Sequence, residues 1–115
     1  ITIKALQSNK INKNILPIIV TDPELIYNHI DIINNDWKVN LIQDHKKFSD
    51  YKTNYFNVIS IKIDEQANLG NPSIANCNFI TNSIVKCINL ENKTLASAIV
   101  TNPINKNIMH KSGFK

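Results

Sequence analysis

Ile15-Leu16-Pro17-Ile18-Ile19-Val20-Thr21-Asp22-Pro23-Glu24 is the stretch that decides the fold class. Ile15 to Val20 is short, apolar and β-branched, which predicts a strand buried on both faces. Thr21-Asp22 then offers a cap, Pro23 suits the first helical position, and Glu24 puts an acid beside the positive end of a helix dipole. Leu25, Ile26, His29, Ile30 and Ile33 fall at helical spacing, and Asn34-Asn35 ends that helix. A strand entering a helix through a tight turn is the repeating element of an α/β protein.

The rest of the chain continues the alternation. Ile1 to about Ser8 is helix-compatible, with Ile1, Ala5 and Leu6 sharing a face. Val39 to Ile42 predicts a second strand, and Asp44 to Asn54 a polar loop. Asn57 to Ile63 alternates, with Val58, Ser60 and Lys62 on a wetter side and Ile59, Ile61 and Ile63 on the other, as a strand near an edge would. Pro72 to about Leu90 is the strongest helix. Ile74, Cys77, Ile80, Ile84, Cys87 and Ile88 recur every three or four residues, with Asn71 as cap. Ala96 to Val100 predicts a compact apolar strand, and Thr101-Asn102-Pro103 a strand-to-helix turn. Ile104 to Lys111 predicts a short helix stopped at Gly113. The fold class is therefore α/β with a largely parallel sheet flanked by helices, in a single partial domain over residues 1–115.

Composition removes several functions. Ile (21), Asn (19) and Lys (13) make up 53 of 115 residues, and no arginine is present. All three have A/T-rich codons, so this reads as base-composition bias of the source genome. The net charge of +4 then carries little weight. The lysines are scattered, with only Lys46-Lys47 adjacent, so no basic patch points to nucleic acid. The longest apolar run, Ile15 to Val20, falls far short of the roughly 20 residues that span a bilayer. No start of the signal-peptide kind is visible. Residue 1 is Ile, the opening reads as a helix already under way, and the chain stops just after a helix stop. Both ends therefore read as cut.

Few residues suggest chemistry. Gly70 and Gly113 are the only glycines, so no glycine-rich phosphate cradle exists in the chain. His29, His45 and His110 are far apart. His29 reads as a core or boundary residue and the other two as surface residues, so no metal site is assigned. Cys77 and Cys87 read as buried, inert thiols, and no catalytic residue is assigned. In parallel sheets ligands gather at the carboxyl ends of strands. Two turns have that character, Thr21-Asp22-Pro23 and Thr101-Asn102-Pro103-Ile104-Asn105-Lys106. In the second, a lysine follows a helix start three residues after the proline, which suits an anion. A plain Thr-Asn-Pro cap with a solvated Lys106 accounts for the same spacing.

Gly70-Asn71-Pro72-Ser73-Ile74-Ala75-Asn76, the helix after it, Ala98-Ile99-Val100-Thr101-Asn102-Pro103-Ile104-Asn105-Lys106 and Gly113-Phe114 together resemble the 4-hydroxythreonine-4-phosphate dehydrogenase (PdxA) family. That family shows a Gly-x-x-Ser-x-x-Asn-like helix entry, a strand ending A-x-V-T-[GNA]-P-I-[NH]-K and a helix ending A-G-[FI]. Ile18 to Leu25 is similar to its earlier strand–Asp-Pro–helix unit. The family's glycine-rich G-D-P-x-G-I-G-P-E opening, its G-H-T-E segment, its metal-binding histidines and its NAD-binding region have no counterpart here. The chain thus resembles the first third of such an enzyme without its first strand.

The resemblance implies a fold like that of isocitrate and isopropylmalate dehydrogenases. It implies NAD-dependent oxidation of 4-phosphohydroxy-L-threonine followed by decarboxylation, in pyridoxal phosphate (vitamin B6) biosynthesis. It also implies a divalent metal (zinc, magnesium or cobalt) with ligands outside this chain, a homodimer and a cytoplasmic location. Thr101, Asn102, Pro103 and Lys106 are implied as substrate-binding residues, and the cofactor-binding residues stay unassigned. By this reading the 115-residue chain alone is inactive. Two other readings stand beside it: a non-catalytic remnant acting as a binding or structural module, and acyl-phosphate transfer on a similar fold.

Overall fold

The structure is a computed structural model that describes residues 1–8, 10–33, 36–43, 50–68, 70–93 and 95–114, with the side chains of 31–33 also outside the description. The chain forms two compact units, Ile1–Ser60 and Ile61–Lys115.

The first unit opens with α1 (Thr2–Gln7), which ends where the Ser8 amide and hydroxyl both turn back to the Ala5 carbonyl. Then follow β1 (Ile19–Thr21), α2 (Pro23–Ile33), β2 (Lys38–Leu41) and β3 (Tyr55–Ser60). The three strands form one parallel sheet in the order β1-β3-β2. Ile19 lies opposite Val58, and Val39 opposite Phe56. The α/β class and the parallel sheet are as the sequence predicts.

Start and stop signals explain α2. Asp22 is its cap: one carboxylate oxygen accepts from the Glu24 amide at 2.9 Å, and the Asp22 carbonyl accepts from the Leu25 amide at 3.1 Å. Pro23 loses nothing at the first helical position, where an N–H has no partner within the helix. Ile26, Phe56 and Val58 form the core, and Ile3, Leu6, Ile19, Ile30, Trp37 and Val39 pack on them. α1 and α2 therefore cover the Phe56–Val58 face of the sheet. Trp37 and Phe56 meet at a tilt, ring centres 5.3 Å apart, an arrangement that suits the ring quadrupoles.

The opposite face is held by amides. Asn57 is fully buried. Its oxygen accepts from the Lys52 amide (2.9 Å) and from Asn40 Nδ2 (2.8 Å). Its nitrogen donates to the carbonyls of Lys52 (2.8 Å) and Tyr55 (3.1 Å). Asn40 Nδ2 also donates to the Asp50 carbonyl at 2.6 Å. Both donors and both acceptor sites of Asn57 are thus used, and the chain before β3 is clipped onto the strand it enters. Burial pushes the nearby Tyr51 phenol above its ordinary value, and the Asn57 side chain partly opposes that.

Several expectations shift. The strand predicted over Ile15 to Val20 is Ile19–Thr21 only, and Ile15 and Leu16 are exposed. β3 is the central strand rather than an edge. Its supposedly wetter side carries Val58, 0% exposed, while Ile59 on the other side is 3% exposed. Alternation failed as a guide because β3 is paired on both sides and covered on both faces. His45 and most of the predicted loop at 44–54 lie outside the described residues, as do Asn34-Asn35 and the Ile33 side chain.

The second unit holds a 3₁₀ turn (Ile74–Asn76), α3 (Cys77–Asn92) and α4 (Lys106–Lys111). The helix predicted from Pro72 starts later and runs on to Asn92. Its entry is capped by Ser73, whose hydroxyl accepts from the Ala75 amide, and not by Asn71. Asn71 instead closes a tight turn onto the Asn68 carbonyl (3.1 Å), where Gly70 takes a φ of +77°.

Ala96 to Val100 forms no strand, and Val100 is 95% exposed. A strand needs a ladder, and among the described residues of this unit no strand exists to pair with it. The predicted helix at 104–111 begins at Lys106.

Replacing Asn57 by alanine leaves the Lys52 amide and carbonyl and the Asn40 amide without their buried partner. We expect a loss of about 3 kcal/mol in urea unfolding, together with loss of hydrogen-exchange protection at the Lys52 amide. An unchanged Lys52 exchange rate would contradict the clip.

Candidate functional site

The sequence singles out two helix entries, and the structure builds them differently. At the carboxyl end of β1, Thr21 leads to Asp22, which is 2% exposed and spends one oxygen on the Glu24 amide. This is a cap that anchors α2 to the sheet, and its backbone role is filled.

The second entry is open. Thr101, Asn102, Pro103, Ile104, Asn105 and Lys106 are all exposed and follow the irregular segment 98–100. The structure therefore places the four predicted residues Thr101, Asn102, Pro103 and Lys106 on one continuous surface segment. Asn105 caps α4, its side-chain oxygen accepting from the Ile108 amide at 3.2 Å. Lys106 is consequently the first residue of the helix. No acid lies in that first turn, so the end presents free amide hydrogens and one ammonium group, a combination that favours anions over cations.

The far end of α4 is closed by Gly113. Its φ of +96° lets the Gly113 amide reach the His110 carbonyl (3.0 Å) and the Phe114 amide reach the Met109 carbonyl (3.1 Å). This is the paired pattern of a Schellman stop, and an L side chain would be strained at that φ.

The Gly70–Ser73–Asn76 spacing also acquires a physical meaning. The Ser73 hydroxyl donates to the Glu65 carboxylate. The Asn76 side chain accepts from the Glu65 amide (2.9 Å) and donates to the Glu65 carbonyl (3.0 Å). Gly70 makes the turn between them. These residues fasten the loop after residue 63 to the start of α3. Sequence reading missed Glu65 and Asn76 as partners. The signal was an asparagine three residues after a serine cap, hidden among many other asparagines.

Among the described residues no three of His, Cys, Asp and Glu converge to hold a metal ion. His29 is half-buried, with Nδ1 at the Leu25 carbonyl one turn back in α2. His110 lies exposed in the last turn of α4. The described residues therefore do not fit the metal that the resemblance implies. Nor do the two glycines make a dinucleotide cradle, since each serves one turn. Cys77 is buried, and its thiol donates to the Ile108 carbonyl at 3.7 Å. Cys87 is half-buried, and burial pushes its thiol up, away from the thiolate a nucleophile needs. Among the described residues no helix is long and apolar enough to cross a membrane.

The family model described as pyridoxal phosphate biosynthetic protein PdxA, the 4-hydroxythreonine-4-phosphate dehydrogenase family, matches residues 13–115. The chain belongs to that family, a family of dehydrogenases with a role in pyridoxal phosphate biosynthesis. No curated protein matches the chain.

Two measurements check the local assignments. Asn76→Ala removes both bonds to the Glu65 backbone. It should lower stability by about 2 kcal/mol and speed exchange of the Glu65 amide, whereas loss of stability with Glu65 still protected would refute the pairing. Cys87, with its thiol raised above the ordinary value, holds less thiolate at any pH. Alkylation by iodoacetamide at mildly alkaline pH should therefore be slower in the folded chain than in urea. Equal rates would contradict the burial.

Proposed function

We propose that this chain serves as part of an NAD-dependent dehydrogenase that oxidises 4-phosphohydroxy-L-threonine, with decarboxylation following. In this reading the segment from Thr101 to Lys106 lies on the substrate side. Thr101 and Asn102 offer short polar side chains, Pro103 fixes the backbone of the turn, and Lys106 brings positive charge toward the phosphate or carboxylate of the substrate. The observation that carries the proposal is the family match together with the placement of Thr-Asn-Pro-Ile-Asn-Lys at an exposed, acid-free helix start.

NAD and the divalent metal belong to the proposed activity, with their ligands outside these 115 residues. The proposal extends to a homodimer working in the cytoplasm on a small phosphorylated amino acid.

The test is an assay of the natural gene product with 4-phosphohydroxy-L-threonine and NAD, in the presence of zinc, magnesium or cobalt. Reduced nicotinamide and carbon dioxide should appear together. The isolated 115-residue chain should give neither. A well-folded gene product that gives no turnover with any of the three metals would sink the catalytic reading and favour a non-catalytic module. Turnover by the isolated chain would refute the placement of the metal and NAD ligands outside it.

A further inference from the structure

β2 and β3 run parallel, and residues 42–54 join them. In a hairpin the turn sets the register of a strand pair, but a connection of this length does not. The register must come from the strands themselves. It pairs Lys38 with Tyr55, Val39 with Phe56, Asn40 with Asn57 and Leu41 with Val58.

Side chains alternate with a period of two, so moving β2 by one residue turns its core face outward. Val39 would leave the core and Asn40 would enter it, and the apolar pattern rejects that shift. A shift of two residues is different, because each side chain keeps its face. Moved two residues toward the carboxyl end of β3, Val39 comes opposite Val58, and Trp37 comes level with Phe56, the ring it already meets. The backbone ladder can form in either register. Apolar contact thus does little to separate the two. The reverse shift sets Val39 opposite Asn54, before the start of β3, and fails on the apolar pattern alone.

The buried amides do separate them. Asn40 is 9% exposed and Asn57 1%. In the observed register Asn40 Nδ2 donates to Asn57 Oδ1 at 2.8 Å and to the Asp50 carbonyl at 2.6 Å. After the two-residue shift Asn40 would face Ile59, which is buried and offers no polar side-chain atom. A buried amide without its acceptor is costly. We infer that the Asn40–Asn57 pair is a register lock: it selects the observed pairing of β2 on β3 against the two-residue shift that the apolar side chains tolerate. A single buried asparagine fixes the register of coiled coils by the same penalty. The shift would carry the end of β2 by about 7 Å, in a fold class whose ligands gather at the carboxyl ends of strands.

Cysteine pairs in the natural gene product report the register. Lys38→Cys with Tyr55→Cys can bridge in the observed register, and Leu41→Cys with Ser60→Cys in the shifted one. Each pair lies about 8 Å apart in the other register, beyond the reach of a disulfide. Bridges are identified by the mass of the linked peptides after mild oxidation. With Asn40 in place only the 38–55 bridge should form. Asn40→Leu keeps the volume and removes the amide. It should raise the yield of the 41–60 bridge relative to the 38–55 bridge about tenfold, the equivalent of one buried hydrogen bond left unmade. Asn40→Val, a good strand former, should do the same even if the leucine variant folds poorly.

If both Asn40 variants trap only the 38–55 bridge, the lock is overturned, because the register then holds without the amide. A 41–60 bridge formed readily with Asn40 in place would overturn it too. So would loss of both bridges in both variants, since the pair would then hold β2 in the sheet rather than choose its register.

Discussion

The parallel ladder on β3 is the constraint on which the first unit depends. β3 pairs with β1 on one side and β2 on the other, so neither neighbour has a place in the sheet without it. One side of β3 carries Phe56 and Val58 into the core beneath α1 and α2. The other side carries Asn57, whose four hydrogen bonds hold the incoming chain and β2. Truncating a side chain such as Phe56 typically costs about 3–5 kcal/mol, much of the roughly 5–15 kcal/mol that keeps a domain folded. The apolar and amide faces are thus not alternatives. Packing brings β3 into the interior, and once it is there each polar atom must find a partner.

Asparagine makes that requirement visible. With 19 copies in 115 residues, asparagine looks like genomic noise, and for most of the chain it reads that way. Several of the copies hold structure. Asn40 and Asn57 join two strands, Asn76 clamps Glu65, and Asn105 caps α4. An amide suits Asn57 and Asn76 because it donates and accepts on adjacent atoms without carrying charge. Charged groups at Asn57 or Asn76 would face a desolvation cost that the amide avoids. Biased composition therefore hid the functionally placed asparagines, since nothing local separates Asn57 from Asn54 in the sequence.

The limits of sequence reading are clearest in two matching segments. Ile19-Val20-Thr21 and Ile99-Val100-Thr101 are identical and both lead into Asx-Pro. The first is β1, in register with Val58-Ile59-Ser60. The second is exposed coil, in a unit whose described residues include no strand. Local propensity is the same, so the difference is the ladder, which no local signal encodes. Helix ends were easier to read. Pro23 and Gly113 stand where their backbone chemistry puts them, because capping involves only residues within one turn. The α3 start was misplaced for the same reason in reverse. Its cap, Ser73, belongs to a 3₁₀ turn tied to Glu65, eight residues away, and that distance is outside any capping rule.

The residues that carry the family resemblance divide by what they touch. Gly70, Ser73, Asn76, Asn105 and Gly113 are spent on turns, caps and loop attachments. Each is explained by backbone chemistry alone and would be needed whatever the protein bound. Thr101, Asn102, Pro103 and Lys106 are exposed, and they are the residues on which the proposed function draws. Capping and exposed positions are interleaved residue by residue, as in Asn105-Lys106, where the first caps the helix and the second is exposed. The candidate site is therefore narrower than the motif that reveals it. It comprises the side chains left over once the caps and turns have been assigned, and Lys106 is the one among them with a charge to offer.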